Sequence, residues 1–138
     1  MIVADASVAV RWTIDMPLSD AAEALLRGSR PIIAPDLVIA EVANAFATAV
    51  RHSPATVQRA RDGLDFLPRW FAELVALSSL RNDAFKIAVD LAHPAHDCFY
   101  LALAEQRDCP LLTTDERLLQ KVAGSPHAGR VTHLREWT

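Results

Sequence analysis

Residues 1–10 read Met1-Ile2-Val3-Ala4-Asp5-Ala6-Ser7-Val8-Ala9-Val10: an apolar run, one carboxylate, and a return to small and apolar residues. Ile2 to Ala4 is short, largely β-branched and unbroken in its hydrophobicity, the signature of a strand buried on both faces. An acid directly after such a strand stands at the carboxyl edge of the sheet the strand belongs to. Working outward, the same kind of run recurs at Ile32, Ile33 and Ala34 after Pro31, and at Leu111 to Thr113 after Cys109-Pro110. Val131 to His133 is a weaker example, and Leu74 to Leu77 reads as one more.

Between these runs the period lengthens to that of helices. Ser19 or Asp20 can cap a helix through about Arg27, with Glu23 three residues after Asp20 as in a capping box and Gly28 as the stop. Asp36 to about His52 is rich in Ala and Val and halts at Ser53-Pro54. A further helix is expected from Pro54 to about Trp70, although Gly63 and Pro68 weaken its interior. Asn82 to about Ala92 and Asp97 to about Arg107 complete the set, with Pro94 between them. Short strands alternating with helices predict an α/β protein with a mainly parallel sheet.

Composition narrows the class. At 138 residues without a Pro- or Gly-rich linker, the chain reads as one domain, and 51% hydrophobic against 22% charged residues marks it as globular. The formal charge of -3 argues against binding nucleic acid through overall positive charge, while leaving room for a local basic patch. Of the fourteen cations only Lys86 and Lys121 are lysines; the Arg bias suits phosphate recognition and equally follows from a GC-rich genome. Cys98 and Cys109 lack any paired spacing and read as core residues of a reduced, cytosolic protein. No targeting segment is evident and no apolar run approaches the roughly 20 residues a bilayer demands, so a cytoplasmic protein with no membrane partner is expected.

Four acids stand where acids are costly. Asp5 follows the first strand and Asp115 follows Leu111-Leu112-Thr113-Thr114, both at one edge of the sheet, where open α/β folds bind ligands. Each could equally be a helix N-cap. From Pro35 to Val50 the polar residues are Asp36, Glu41, Asn44 and Thr48, the last three forming a narrow stripe on an otherwise apolar helix. A carboxylate on such a helix needs a cation, a metal or strong hydrogen bonds, and a simple salt bridge to an Arg is one answer. Asn44 and Thr48 could support Glu41 from behind or merely fill a polar gap. Asp97 opens an apolar segment, where it could be no more than a first-turn acid. Converging carboxylates repel unless a divalent cation holds them, and hard oxygen ligands favour Mg²⁺ or Mn²⁺.

Four ordered stretches carry a resemblance: Asp5-Ala6-Ser7-Val8-Ala9-Val10-Arg11-Trp12, Ala34-Pro35-Asp36-Leu37-Val38-Ile39-Ala40-Glu41-Val42-Ala43-Asn44, His96-Asp97-Cys98-Phe99-Tyr100-Leu101-Ala102-Leu103-Ala104-Glu105 and Leu112-Thr113-Thr114-Asp115-Glu116-Arg117-Leu118. Together they resemble the motifs of PIN-domain ribonucleases, most of all the VapC-type toxins of toxin–antitoxin pairs. The resemblance implies a three-layer α/β/α sandwich with a central, mainly parallel sheet, formed as a single PIN domain over residues 1–138. It implies that Asp5, Glu41, Asp97 and Asp115 form a metal-binding catalytic cluster for Mg²⁺ or Mn²⁺, with Ser7 and Thr113 at supporting hydroxyl positions. It further implies an RNA substrate, a homodimer, and a VapB-type antitoxin whose tail enters the acidic groove, with helices near Phe46, Phe66, Trp70 and Phe71 as faces for such contacts. Thr114 departs from the pattern, which commonly has a small apolar residue there. His96 falls on a variable position and receives no role.

For RNA contacts the candidates are Arg11, Arg51, Arg59, Arg61, Arg69 and Arg81, each also readable as a solvated surface residue. Trp12, Trp70, Phe71 and Tyr100 read as core or interface in preference to base-stacking. The five histidines lack zinc spacing and read as structural, Pro94 preventing a regular helical pair of His93 and His96. A phosphoacceptor receiver domain fits poorly because Lys121 lies inside a helix, a haloacid-dehalogenase-type phosphatase would need an acid where Ser7 stands, and no P-loop occurs. The surviving rival is a catalytically silent PIN-like binding module.

Overall fold

Five short, mostly β-branched and apolar segments form one parallel sheet: β1 (Ile2–Ala4), β2 (Ile32–Pro35), β3 (Glu73–Val75), β4 (Leu111–Thr113) and β5 (Val131–His133), in the order β3-β2-β1-β4-β5. The structure is a computed structural model that describes all residues, 1–138. β1, β2 and β4 are buried along their whole length, as strands covered on both faces must be. Register pairs Val3 with both Ile33 and Leu111, so β1 is the central strand.

Seven helices cover the sheet: α1 (Ala6–Ala9), α2 (Ser19–Arg27), α3 (Leu37–His52), α4 (Val57–Trp70), α5 (Arg81–Leu91), α6 (Ala95–Gln106) and α7 (Glu116–Val122). α6 lies against β1, β2 and β4 and carries α5 on its outer side, while α3 packs against β2, α1 and α4. This is the α/β/α sandwich expected from the sequence. Of the seven consecutive α6 positions from Cys98 to Ala104 all but Phe99 are buried, which explains why that segment shows no amphipathic period. No helix is long and apolar enough to cross a membrane.

Strand order explains where a site can form. The chain steps outward from β1 to β2 and β3, then returns across the sheet to β4 on the other side of β1. That reversal between β1 and β4 opens a crevice beyond their carboxyl ends. Asp5 and Asp115 flank it, and the Asp5 N–H donates to Leu112 O at 3.2 Å.

Several local expectations are corrected. The strand read at Leu74 to Leu77 runs Glu73–Val75, and the chain then bends into a 3₁₀ turn at Leu77–Ser79. The capping box does not form: Leu18, with φ 73°, precedes α2, and Ser19 Oγ instead donates to Ile14 O and accepts from Met16 N. α3 is not buried around its circumference either; Val38, Val42 and Phe46 form its buried stripe, while Asn44 and Thr48 are exposed. Gly63 does not weaken α4 by accident. A Cβ there would lie 2.3 Å from Thr13 Oγ1, so only glycine allows α4 to approach this close to the turn that follows α1. Trp12 links the same region, donating Nε1–H to Ala22 O at 2.9 Å and meeting Trp70 and Phe71 with ring centroids 5.4 Å away in each case.

Candidate active site

Asp5 begins the site. It follows β1 and caps the single turn of α1, accepting from Val8 N at 3.3 Å, so the helix-cap reading is realised. Its carboxylate does more than cap. Oδ1 also accepts from Ser7 Oγ at 2.5 Å, and Oδ2 accepts from Thr113 Oγ1 at 2.5 Å. Each hydroxyl is oriented in turn by a backbone donor of the β4 exit, Ser7 Oγ by Thr114 N and Thr113 Oγ1 by Asp115 N, both at 2.9 Å. Burial pushes the Asp5 carboxyl up to about 6, against the pull of these donors, and the nearby charge of Asp97 adds to the rise.

Glu41 projects from α3 and is half-buried. Its Oε1 accepts from the Tyr100 hydroxyl at 2.5 Å, a bond joining α3 to α6. Burial raises the Glu41 carboxyl above its ordinary value, partly offset by the Tyr100 hydrogen bond and by His96, while the charge of Asp97 adds to the rise. Tyr100 is itself held far above its usual range by burial and by Glu41 beside it, so its hydroxyl remains a donor.

Asp97 lies in the first turn of α6. His93 Nε2 meets its Oδ2 at 2.6 Å and His96 Nε2 lies 3.6 Å from its Oδ1. Pro94 is the N-cap of α6, so the two histidines stand on either side of the break and both turn to the same carboxylate without being a helical pair. Glu41, His96 and Asp97 bring one ligand atom each within 4.8 Å of one another.

Asp5 and Asp115 stand outside that trio. Asp115, also half-buried, caps α7 by accepting from Arg117 N at 2.9 Å, and reaches Asp5 through Thr113. Asn44 lines a recess of about 320 Å³ between α1 and α3, together with Ser7 and Glu41. Thr48 donates to Asn44 O and accepts from Arg51 Nη2 at 3.0 Å, both within its own helix. On the other side of the cluster Asp97, His93 and His96 share a recess of about 500 Å³ with Arg117, Gln120 and Lys121. The acids therefore sit between two openings.

Of the residues at this site, the sequence reading gave no role to His93 and His96 and took Tyr100 as core or interface. Tyr100 is core, at 2% exposure, yet its hydroxyl serves Glu41. One signal was available: Tyr100 follows Asp97 by three positions, hence shares its helix face. His93 sits outside α6, where helical spacing carries no information. The other histidines are structural: His127 pairs with Glu105, His133 accepts from Arg135 N, and His52 contacts Thr48 O. Among the Arg candidates, Arg11 donates to the Ser7 and Pro17 carbonyls and Arg81 to Ser78 O, so both are occupied within the chain. Phe46 and Phe71 are buried, at 3% and 7% exposure, which leaves Phe66 and Trp70 of the four residues proposed as partner faces.

The donor set suits a divalent cation. Glu41 and Asp97 each keep one carboxylate oxygen that Tyr100 and His93 do not engage, an imidazole stands beside them, and no Lys or Arg forms an ion pair with any of the four acids. Such an arrangement can hold a cation and, through it, a phosphate. No curated protein matches the chain in sequence. Among solved structures, the crystal structure of PAE2754 from Pyrobaculum aerophilum is similar in fold, with a TM-score of 0.70 at 19% identity, covering 97% of this chain and 83% of that one. The sequence matches the PIN domain family model over residues 2–125, nearly the whole chain. With its parallel five-stranded sheet and a family match over nearly its whole length, the chain belongs to the PIN domain family, whose members are generally Mg²⁺-dependent nucleases.

Proposed function

We propose that this protein is a metal-dependent endoribonuclease acting as the toxin of a type II toxin–antitoxin pair of the VapBC kind. The observation that carries the nuclease reading is the juxtaposition of Glu41 and Asp97 with a polar recess containing Arg117 and Lys121, neither of which forms an ion pair within the chain. Carboxylates beside unpaired cations suit a phosphodiester: one sign of charge positions the reacting phosphate through a cation, the other tracks the flanking backbone.

Asp97 and Glu41 would hold a divalent cation, which when bound would supply charge neutralisation at the phosphate and a lowered pKa for water. The chain's own residues supply the geometry. His93 fixes Asp97 through Oδ2, and Tyr100 fixes Glu41 through Oε1, so each acid presents its second oxygen in one orientation. With Oε1 taken by Tyr100, Glu41 would turn its remaining oxygen to the same cation as Asp97. Asp5 binds the two carboxyl-edge loops together through Ser7 and Thr113 and brings negative charge to the crevice.

The toxin reading rests on the ordered motifs and is supported by unpartnered apolar surface. Phe85 and Val89, four residues apart on α5, are 68% and 63% exposed, a surface suited to a homodimer contact. A VapB-type antitoxin is the expected second partner.

The test is twofold. Purified chain incubated with RNA and Mg²⁺ or Mn²⁺ is expected to cleave it internally, with loss of cleavage in Asp5→Asn and Asp97→Asn. Expression is expected to arrest growth, relieved by the neighbouring reading frame. Absence of cleavage with any divalent cation, alongside tight binding of a partner, would replace the enzyme with a binding module.

A further inference from the structure

The trio at the centre of the site is not purely carboxylate. His96 Nε2, Glu41 and Asp97 converge within 4.8 Å, and His96 Nε2 stands 3.6 Å from Asp97 Oδ1. That separation is too long for a hydrogen bond. It is the spacing of two atoms bound to one ion, since bonds of about 2.0–2.2 Å place such atoms roughly 3 to 4.4 Å apart. The His96 side chain is 55% exposed, so packing does not hold it there.

The oxygens of both acids are divided in a way that leaves room for this. Asp97 Oδ2 is taken by His93, whose side chain is only 7% exposed, and Oδ1 faces His96. Glu41 Oε1 is taken by Tyr100. One oxygen of each acid and one imidazole nitrogen remain to share an ion.

Resting on the nuclease reading for its use, we infer that His96 is a metal ligand and that the site is a one-imidazole, two-carboxylate centre. Such a centre favours a first-row transition cation, Mn²⁺ among them, over Mg²⁺. Imidazole suits the transition ions, whereas Mg²⁺ demands oxygen ligands and sheds water reluctantly. His93 is a positioning residue that holds Asp97 in the ligating orientation.

The experiment reads the metal directly. Full-length protein loaded with Mn²⁺ is examined by pulsed electron paramagnetic resonance for nitrogen coupling to the manganese, and Mg²⁺ is titrated against the bound Mn²⁺. Wild type and His93→Gln are expected to show the coupling. His96→Gln, which keeps an oxygen donor, is expected to bind Mn²⁺ without it, and Mg²⁺ should displace the ion at about 10- to 100-fold lower excess than in wild type. No coupling in wild type, or coupling that survives in His96→Gln, overturns the inference and leaves His96 as a counter-charge. Cleavage assays separate the two readings: nitrogen coupling without RNA cleavage sinks the nuclease and keeps the ligand, while cleavage without coupling does the reverse.

Discussion

Tyr100, buried in the middle of α6, donates its hydroxyl to Glu41 Oε1 on α3 at 2.5 Å. The bond is the direct link between the two helices that carry Glu41 and Asp97, and it decides which Glu41 oxygen faces the crevice. Tyr100→Phe keeps the ring and removes the donor. It should cost roughly 1.5–3 kcal/mol of stability, because the lost bond serves a partly buried acid. Cleavage should fall about tenfold with KM nearly unchanged, as Glu41 loses its orientation. Thermal unfolding and steady-state kinetics on an RNA oligonucleotide check both; an unaltered rate would mean that Glu41 is held by something else.

Asp5 gives the metal-free protein a defined pH dependence. Burial raises its carboxyl from 3.8 to about 6, so the folded chain binds this proton more tightly than the unfolded one. Stability from this group is therefore full below about pH 4 and is lost as pH rises through 6, by roughly 3 kcal/mol in all at about 1.4 kcal/mol per unit of difference. Denaturant titrations with EDTA from pH 4 to 8 are expected to show this decline, and Asp5→Asn to flatten it. Equal slopes in the two proteins would show that the buried charge is compensated in the fold.

The absence of a side chain at Gly63 lets α4 pack directly against Thr13. The Thr13 hydroxyl is buried without a hydrogen-bond partner, and a Cβ at position 63 would meet it. Gly63→Ala should destabilise by about 1–3 kcal/mol through overpacking. Thr13→Val, which removes the orphaned hydroxyl at nearly constant shape, should be neutral or stabilising by about 1 kcal/mol. The pair Gly63→Ala with Thr13→Ala should be milder than the sum of the single changes, since the two residues touch.

Arg117 and Lys121 face the recess beside Asp97. If they track the RNA backbone, Arg117→Ala and Lys121→Ala should weaken binding of a single-stranded RNA, measured by fluorescence anisotropy in Ca²⁺ to suppress turnover. Each should also lower the salt slope of log K by about 0.7, the value for one phosphate contact on a single strand. Unchanged slopes would direct attention to the recess on the Asn44 side.

Much of this was readable in the residues, for identifiable reasons. Buried parallel strands announce themselves as continuous apolar runs, so Ile2–Ala4 and Leu111–Thr113 were plain, and with them the edge on which Asp5 and Asp115 stand. β3 was harder, because an edge strand with Glu73 exposed lacks that pattern. Glu41 stood out as an acid on an apolar helix. What stayed hidden depended on tertiary approach: Gly63 looked like a helix flaw until Thr13 was seen against it, and His93 and His96 looked unrelated because Pro94 breaks the helical spacing that would have joined them.

The Asp5–Thr113 hydrogen bond joins positions 108 residues apart, and β1 cannot acquire its β4 neighbour until that distance of chain exists. A contact so remote along the sequence closes late. During synthesis the first strand, α3 and even Asp97 leave the ribosome before the crevice has its second wall. The crevice is thus an incomplete site through most of synthesis, and Asp5 waits without its Thr113 donor until β4, at Leu111–Thr113, has emerged.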